Sequence, residues 1–559
     1  MNRYVLGFDF GTLSCRGVVL NLSDGKLVAT AEHMYRNGVI SGKMKHKPIY
    51  LKKDWFLQDP DDWIESMTIV SKKMLSEAEI TPEEISGIGT DFTSCTLLPI
   101  KKDGTPLCKL SKYRDRPNAW PKLWKHHGAQ GQAERIEKYA REHTTWLKKY
   151  FGNSVSSEWA YPKMLQVLEE DPDIYKEADY FIEAVDWIVM KLTGVNCRTN
   201  GILGVNAFYI EGKGFPDRDF AKAIHPLFEN VAETKLAGEI LKVGDCAGLV
   251  TDEMSKELGV STHTVVAAGH SDGAVAGCGV GVTKSGSMML VMGTSTCHQM
   301  MYKDLHSFDG ICSIASDGMI PGLFGYESGQ PATGDMFAWF ADHMASSAYQ
   351  EEAKRKNKSV LSYLGDLAQE LQPGSNGLIA LDWFNGNRSV LSNYNLSGAI
   401  IGLTLDTKPE ELYRALVEAN VFGSKKIIEN YEQNGILITD VYAVGGIPRK
   451  SPWIMQMCAD VLKKEIIVPE FENVPARGAA VCAAVAVGKK NPSVGVRDFK
   501  EAGERLIPKE VKRYYPDMEK AKKYDRVYQY YCMLHDLFGR DDSFMKGLKE
   551  LRLDEVCHK

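Results

Sequence analysis

The chain has 559 residues, well past the roughly 250 to 300 at which a single hydrophobic core stops growing, so at least two domains are expected. Its 44% hydrophobic and 25% charged residues, with 50 glycines, exclude disordered and fibrous classes. The net charge is -6, and the densest basic run, Lys354 to Lys356 with Lys358, is short and follows Glu351 and Glu352, which argues against nucleic acid and anionic membrane as partners. The 12 cysteines are scattered without a CxxC or nearby His pairs, against both a zinc site and a disulfide framework, so a reducing cytosol fits. A strand-like run begins at Tyr4 after one basic residue, unlike a signal peptide, and no apolar run approaches the ~20 residues that span a bilayer. A cytoplasmic protein is expected.

In chain order, Tyr4 to Asp9, Arg16 to Leu22 and Leu27 to Glu32 read as strands, joined by Phe10-Gly11-Thr12-Leu13-Ser14 and Ser23-Asp24-Gly25. Asp59-Pro60-Asp61-Asp62-Trp63 opens a helix that leads to a strand at Ile85 to Thr90, ending in Asp91. A segment from about 101 to 252 follows, rich in helix formers and aromatics, among them Trp120, Trp124, Trp146, Trp159 and Trp187; it reads as an insertion that shapes specificity. Thr264 to Gly281 starts as a buried strand and becomes a run of Gly, Ala and Ser, with Asp272 at the transition. The opening pattern then returns: Ser287 to Met292, the turn Gly293-Thr294-Ser295-Thr296, and Cys297 to Met301. Lys408-Pro409-Glu410-Glu411 opens a long helix that leads to Val441 to Val444 and then Gly445-Gly446. Two copies of one βββ-α-β plan predict two similar α/β lobes across a cleft. The boundary is expected near Gly259, giving 1–258, 259–491 and a tail, 492–559, whose helical stretch Lys520 to Phe538 packs on the second lobe.

The two Gly-Thr turns offer bare backbone N–H groups and hydroxyls, so as a pair they suit a polyphosphate, although each alone also suits an ordinary hairpin. Neither is GxxxxGK[ST] or GxGxxG, which sets aside the P-loop and Rossmann phosphate sites. Asp9, immediately before the first turn, would repel phosphate unless a cation such as Mg²⁺ stood between them; otherwise it accepts turn N–H groups. Asp272, at a strand end among small residues, suits a base that takes a proton from an attacking hydroxyl, or else a helix cap. His270 is the competing base, with a structural role the commoner alternative.

The segments DFGT at 9–12, GTSTCH at 293–298, GYESGQ at 325–330 and GGIPRKS at 445–451 resemble the FGGY carbohydrate kinases, most closely those acting on ribulose. IGTDFTSCTLLP at 88–99, LWKHH at 123–127, SSEWAYPKMLQVLEE at 156–170 and EAVDWIVMKLTG at 183–194 extend the resemblance to about residue 490. It implies an actin-like, ribonuclease-H-like fold in each lobe, closing on ATP, Mg²⁺ and a small open-chain sugar. By resemblance Asp272 is the catalytic base and, with Asp9, positions Mg²⁺. Gly11, Thr12, Gly293 and Thr294 meet the phosphates, while Gly334, Gly445 and Gly446 lie against the nucleotide. Ser94, Asp272 and Glu327 bind sugar. Where this family branch carries a lysine in a GYK-like sequence, this chain reads GVN and places Asn206. L-ribulose, as in arabinose catabolism, is the leading substrate, with D-ribulose, D-xylulose and ribitol as alternatives. An actin-like ATPase without a sugar and a silent sugar sensor are the rival classes. A homodimer is compatible with the sequence, which does not specify assembly.

Overall fold

The structure, a computed structural model, describes residues 3–44 and 47–557. Two seven-stranded sheets organise it. The first runs Leu27–Met34, Ser14–Asn21, Tyr4–Phe10, Ile85–Phe92, Val265–Ala267, Cys246–Leu249, with His270–Ser271 also paired to Ile85–Phe92. The second runs Ser313–Ser316, Phe324–Gln330, Thr296–Tyr302, Ser287–Met292, Asp440–Val444, Ile466–Pro469, Val511–Tyr514. Set side by side, the orders correspond strand for strand from Leu27–Met34 and Phe324–Gln330 onward. Each has an antiparallel meander, then two parallel strands, then an antiparallel edge strand. The duplication predicted from sequence is therefore present in three dimensions.

Local sequence explains these elements. Tyr4–Phe10 is buried along its whole length, as a central strand covered on both faces requires. The helix Pro60–Glu77 starts where Asp59 accepts the Asp61 N–H at 3.1 Å, with proline in its first turn and two acids that suit the positive end of the helix dipole. Its Trp63, Met67, Val70 and Met74 face the first sheet's core. The corresponding helix Pro409–Gln433 starts with proline and with Glu411, whose carboxylate accepts the Lys408 N–H at 2.8 Å.

One connection was not legible in the sequence. The helix Val474–Lys490, from the second half of the chain, lies on the first sheet and crosses the helix Asp272–Gly279. Gly7 and Gly89 permit this approach: a Cβ would stand 2.0 Å from the Ala476 carbonyl oxygen at Gly7 and 1.9 Å from that of Ala479 at Gly89. Gly259 ends the helix Asp252–Leu258 in a left-handed conformation, φ 74°. The strands Val265–Ala267 and His270–Ser271 beyond it still pair in the first sheet, so the chain changes sheet between Ser271 and Ser287.

The insertion builds its own aromatic core around Trp146, Phe151, Trp159 and Phe208, while Trp187 packs in the core of the first sheet. It also reaches the second lobe, where the helix Asn200–Asn206 lies against Ser313–Ser316 and Lys242 Nζ meets Asp317 Oδ2 at 2.7 Å. The tail supplies the edge strand Val511–Tyr514 and the helix Met518–Arg540, packed on Pro409–Gln433 and Pro452–Leu462. Among the described residues no helix is long and apolar enough to cross a membrane.

Candidate active site

Two identical placements lie at the centre of the first sheet. Gly7-Phe8-Asp9-Phe10 and Gly89-Thr90-Asp91-Phe92 run parallel and in register, Asp9 opposite Asp91, and the Phe10 and Phe92 rings stack at 5.3 Å. On the other side of Asp91 the register partner is His270, two residues before Asp272. Asp9 and Asp91 are both buried. Arg16 Nη2, 3.2 Å from Asp9 Oδ2, is the cation paired with the cluster, and the Asp91 oxygens meet no N–H or hydroxyl donor, only the neighbouring Asp9 carboxyl with which a proton can be shared.

The electrostatics follow from this crowding. Burial raises the Asp9 carboxyl and Arg16 opposes it. Asp91 is pushed well above the ordinary range by burial, then by the charges of Asp9 and Asp272. Asp272 is raised to about 7, by burial first and the Asp9 charge second, with the Gly273 N–H pulling it back. That N–H donates to Asp272 Oδ1 at 2.7 Å; the helix cap itself is Ser271, so Asp272 is the first residue of the helix and stays half-buried. His270 is buried, with Nδ1 accepting the Ser271 N–H at 2.9 Å and Nε2 at 3.0 Å from the Met319 carbonyl oxygen. Both of its nitrogens are engaged, and burial drops it to about 4, which leaves it a structural role.

Several carboxylates beside one guanidinium, with two buried oxygens that meet no N–H or hydroxyl donor, fit a hard divalent cation. Among the described residues no three His, Cys, Asp or Glu form a ready-made metal cage; Mg²⁺ in general takes one or two carboxylates and completes its shell with water and phosphate oxygens. A thermal test follows. Because these carboxyls hold protons in the folded chain that they release when unfolded, stability should fall as pH rises from the ordinary Asp value of 3.8 through about 7. Mg²⁺ binds the ionised form, so it should raise Tm by more at about pH 8 than at about pH 5. An equal rise at both would mean that the cation binds elsewhere.

The glycine turns expected to meet nucleotide gather on the second lobe. Gly334 donates to the Gly293 carbonyl oxygen at 3.0 Å, and Thr333 and Asp335 donate to that of Thr294 at 2.8 and 3.2 Å. A Cβ on Gly334 would stand 2.6 Å from the Gly293 oxygen, and one on Gly445, at φ 111°, would stand 2.3 Å from the Met292 oxygen. Gly293 and Gly446 have no atom within 4 Å of that position, so their faces are open. The Thr333 hydroxyl is fixed by Thr296 at 2.9 Å and Asn420 at 3.0 Å. On the first lobe Gly11 donates to the Ser14 oxygen at 3.0 Å; the Thr12 hydroxyl accepts from Trp124 Nε1 at 3.1 Å and its carbonyl from Gln58 at 2.8 Å.

The residues expected to bind sugar also converge. Glu327 lies mid-strand between Gln299 and Ser313, half-buried. Burial raises its carboxyl, which Arg388 and a hydrogen bond from Gln299 lower. Ser94, half-buried, precedes Cys95, whose thiol is held up by burial and then by the charges of Glu183, Glu158 and Glu327, with Lys163 opposing them. Asn206 Nδ2 donates to Glu183 Oε1 at 2.9 Å and lies 3.7 Å from Cys95 Sγ; its Oδ1 is buried without a partner. Glu183 is raised to about 7 by burial, against the pull of Lys163. The buried Lys163 Nζ donates to the carbonyls of Cys95 at 2.6 Å and Leu123 at 2.9 Å, which fixes the turn after Ser94.

Reading the sequence did not single out Asp91, Gln299, Arg388 or Glu183 for the site. For Asp91 a signal was present, since GFDF and GTDF share the G-x-D-F pattern at corresponding strand ends.

Comparison with known proteins agrees with this architecture. The N-terminal domain model of the FGGY family of carbohydrate kinases matches residues 4–279, and its C-terminal domain model matches 288–487. A ribulokinase of Anoxybacillus flavithermus is 41% identical over 548 residues, covering 98% of this chain and 97% of the relative. One from Mycolicibacterium smegmatis is 39% identical over 552 residues, covering 98% and 96%. Among solved structures, a gluconate kinase from Lactobacillus acidophilus superposes with a TM-score of 0.78 at 19% identity, over 96% of this chain and 99% of that one. A xylulose kinase from Rhodospirillum rubrum gives 0.77 at 21%, again over 96% and 99%; at such identities the likeness is one of fold.

Proposed function

Because the chain belongs to the FGGY family of carbohydrate kinases, we propose that it moves the γ-phosphoryl group of ATP to the terminal hydroxyl of an open-chain ketopentose, L-ribulose foremost, giving the 5-phosphate. The observation that carries the reading is Asp272, half-buried at the start of its helix, with a carboxyl raised to about 7 and small residues around it. A base of that strength is partly ionised at neutral pH and still takes a proton readily.

In this reading Asp272 accepts the proton of the attacking hydroxyl. Glu327, an acceptor only when ionised, holds other sugar hydroxyls, with Gln299 fixing its orientation. The Ser94 hydroxyl and the unpartnered Asn206 Oδ1 supply neutral contacts at the other end. Thr12 and Thr294, with the N–H groups beside Gly11 and Gly293, face the phosphates, and Gly334, Gly445 and Gly446 give the nucleotide a wall without side chains. A divalent cation, when bound, supplies positive charge to the phosphoryl oxygens, and Asp9 with Asp272 would hold it, Asp91 beside them. Closure of the lobes keeps water from competing for the phosphoryl group.

The direct test is ADP release with ATP and a panel of ketopentoses and pentitols, with the phosphorylated position read by phosphorus NMR. ADP release that no sugar stimulates would defeat the reading and favour an actin-like ATPase. Asn206 supports a second reading, a different ketopentose or ribitol, because its orphaned Oδ1 offers an acceptor and no positive charge where a lysine would bring a cation and three donors. Asn206→Lys is expected to change the ratio of kcat/KM between L-ribulose and D-ribulose by about tenfold or more, as gain or loss of a buried polar contact does. The ATP KM should stay within about twofold; an unchanged sugar ratio would remove Asn206 from the pocket.

A further inference from the structure

The strand Phe324–Gln330 carries the half-buried Glu327, proposed above to meet sugar hydroxyls, and the opposite charge that acts most on its carboxylate is Arg388. Arg388 lies against the same strand: its Cδ and Nη1 are 3.5 and 3.6 Å from where a Cβ on Gly329 would stand. Its Nη2 donates to Glu158 Oε1 at 3.2 Å. Glu158 belongs to the insertion of the first lobe, 230 positions away in sequence, so this ion pair joins the two lobes. The side chains are only 13% and 11% exposed, which removes most of the solvent screening that weakens surface pairs. His127 Nε2, also from the insertion, lies 3.9 Å from the same Glu158 oxygen.

The segment that carries Arg388, residues 382–397, is anchored on three sides. Ser389 Oγ accepts the Gly329 N–H at 3.2 Å, from the strand that bears Glu327. Gln330 Nε2 donates to Asp382 Oδ2 at 2.7 Å. From the tail, the Tyr531 hydroxyl reaches Asp382 Oδ1 at 3.4 Å and Asn393 Nδ2 donates to Asp542 Oδ2 at 2.7 Å. Such anchoring fixes where a long, flexible arginine can put its charge.

We propose that Arg388 is a positioning residue that couples sugar recognition to lobe docking, packed on one side against the strand that bears Glu327 of its own lobe and paired on the other with Glu158 of the opposite lobe. The proposal rests on the carbohydrate kinase reading above. Glu158 and Glu327 are like charges that reach each other, Glu158 raising the Glu327 carboxyl, so the guanidinium between the lobes opposes both.

The test uses the full chain with Glu158→Gln, Arg388→Lys, Arg388→Met and the double variant Glu158→Gln/Arg388→Met. Breaking a buried, hydrogen-bonded charge pair weakens an association by about thirtyfold or more, so the sugar KM should rise about tenfold to a hundredfold in Glu158→Gln and Arg388→Met. The ATP KM should stay within about threefold, and Arg388→Lys should recover part of the loss. The double variant should be no worse than the worse single one. In the ligand-free protein, Glu158→Gln should speed amide hydrogen exchange across 382–397, on the opposite lobe. Additive losses in the double variant, or unchanged exchange in that segment, would overturn the coupling. If the native chain phosphorylates no sugar, the function reading fails while the exchange experiment still decides the bridge. If Arg388→Met does not fold, the isosteric Glu158→Gln carries both the kinetic and the exchange arms.

Discussion

Asp272→Asn is expected to lower kcat by about two to four orders of magnitude, the usual contribution of a positioned general base, while ATP affinity changes little. The amide keeps the size of the side chain and can still meet the Gly273 N–H through its oxygen, so the start of the helix Asp272–Gly279 should survive. It cannot accept the hydroxyl proton. The native enzyme should lose kcat/KM as pH falls through the pKa of this carboxyl. That midpoint should lie at or below about 7, because a bound cation favours the ionised form. The variant should lack that limb. A second consequence separates catalysis from folding. Burial and the Asp9 charge raise this carboxyl, so its ionised form costs stability at neutral pH, and removing it should raise Tm above about pH 7. Near-normal turnover in Asp272→Asn would sink the base assignment, and a lower Tm would show that the carboxylate is held by favourable contacts after all.

The largest structural effect is expected at Gly89. A valine there would drive its Cβ into the Ala479 carbonyl oxygen, 1.9 Å away, and backbone on a buried helix cannot move as a side-chain tip can. The cost should exceed about 4 kcal/mol, enough to leave little folded protein. Gly7→Val, which meets the Ala476 oxygen at 2.0 Å, should do the same. Gly131→Ala, with no atom within 4 Å and a helical setting, is the control and should be neutral or slightly stabilising. Soluble yield and urea midpoints read the result. A Gly89→Val protein with a native midpoint would mean that the helix Val474–Lys490 does not press on the sheet in solution.

Much of the fold was legible because it repeats. The strand–turn–strand of 4–32 and its echo at 287–301 carry their own periodicity and turn residues, and the helices after Asp59 and Lys408 announce themselves with proline and acids. Asp9 and Asp272 stood out as candidates for a related reason: one lies at the end of a strand before a turn and the other opens a helix just after a strand, positions that local sequence reveals. Asp91 was not singled out, because its place beside Asp9 comes from a parallel register; only the shared G-x-D-F pattern of 7–10 and 89–92 hints at that pairing in the sequence. Arg388 and Glu158 were out of reach altogether, since their meaning depends on how the lobes dock. The helix Val474–Lys490 is buried on nearly every side, so its sequence shows no apolar stripe from which to infer the sheet that it covers. The boundary near Gly259 reads a true helix end, but a helix end does not reveal which sheet the following strands join.

That late helix also bears on the order in which the chain can fold as it is made. The strands Tyr4–Phe10 and Ile85–Phe92 leave the ribosome early, yet the helix that seats on Gly7 and Gly89 is not available until residue 490 has emerged. A nascent chain ending near residue 280 therefore presents an apolar sheet face, including Val5 and Ala267, with no cover of its own. The first lobe is completed only after the second has been synthesised, so the two halves are not independent folding modules, and synthesis itself holds open the period of greatest aggregation risk.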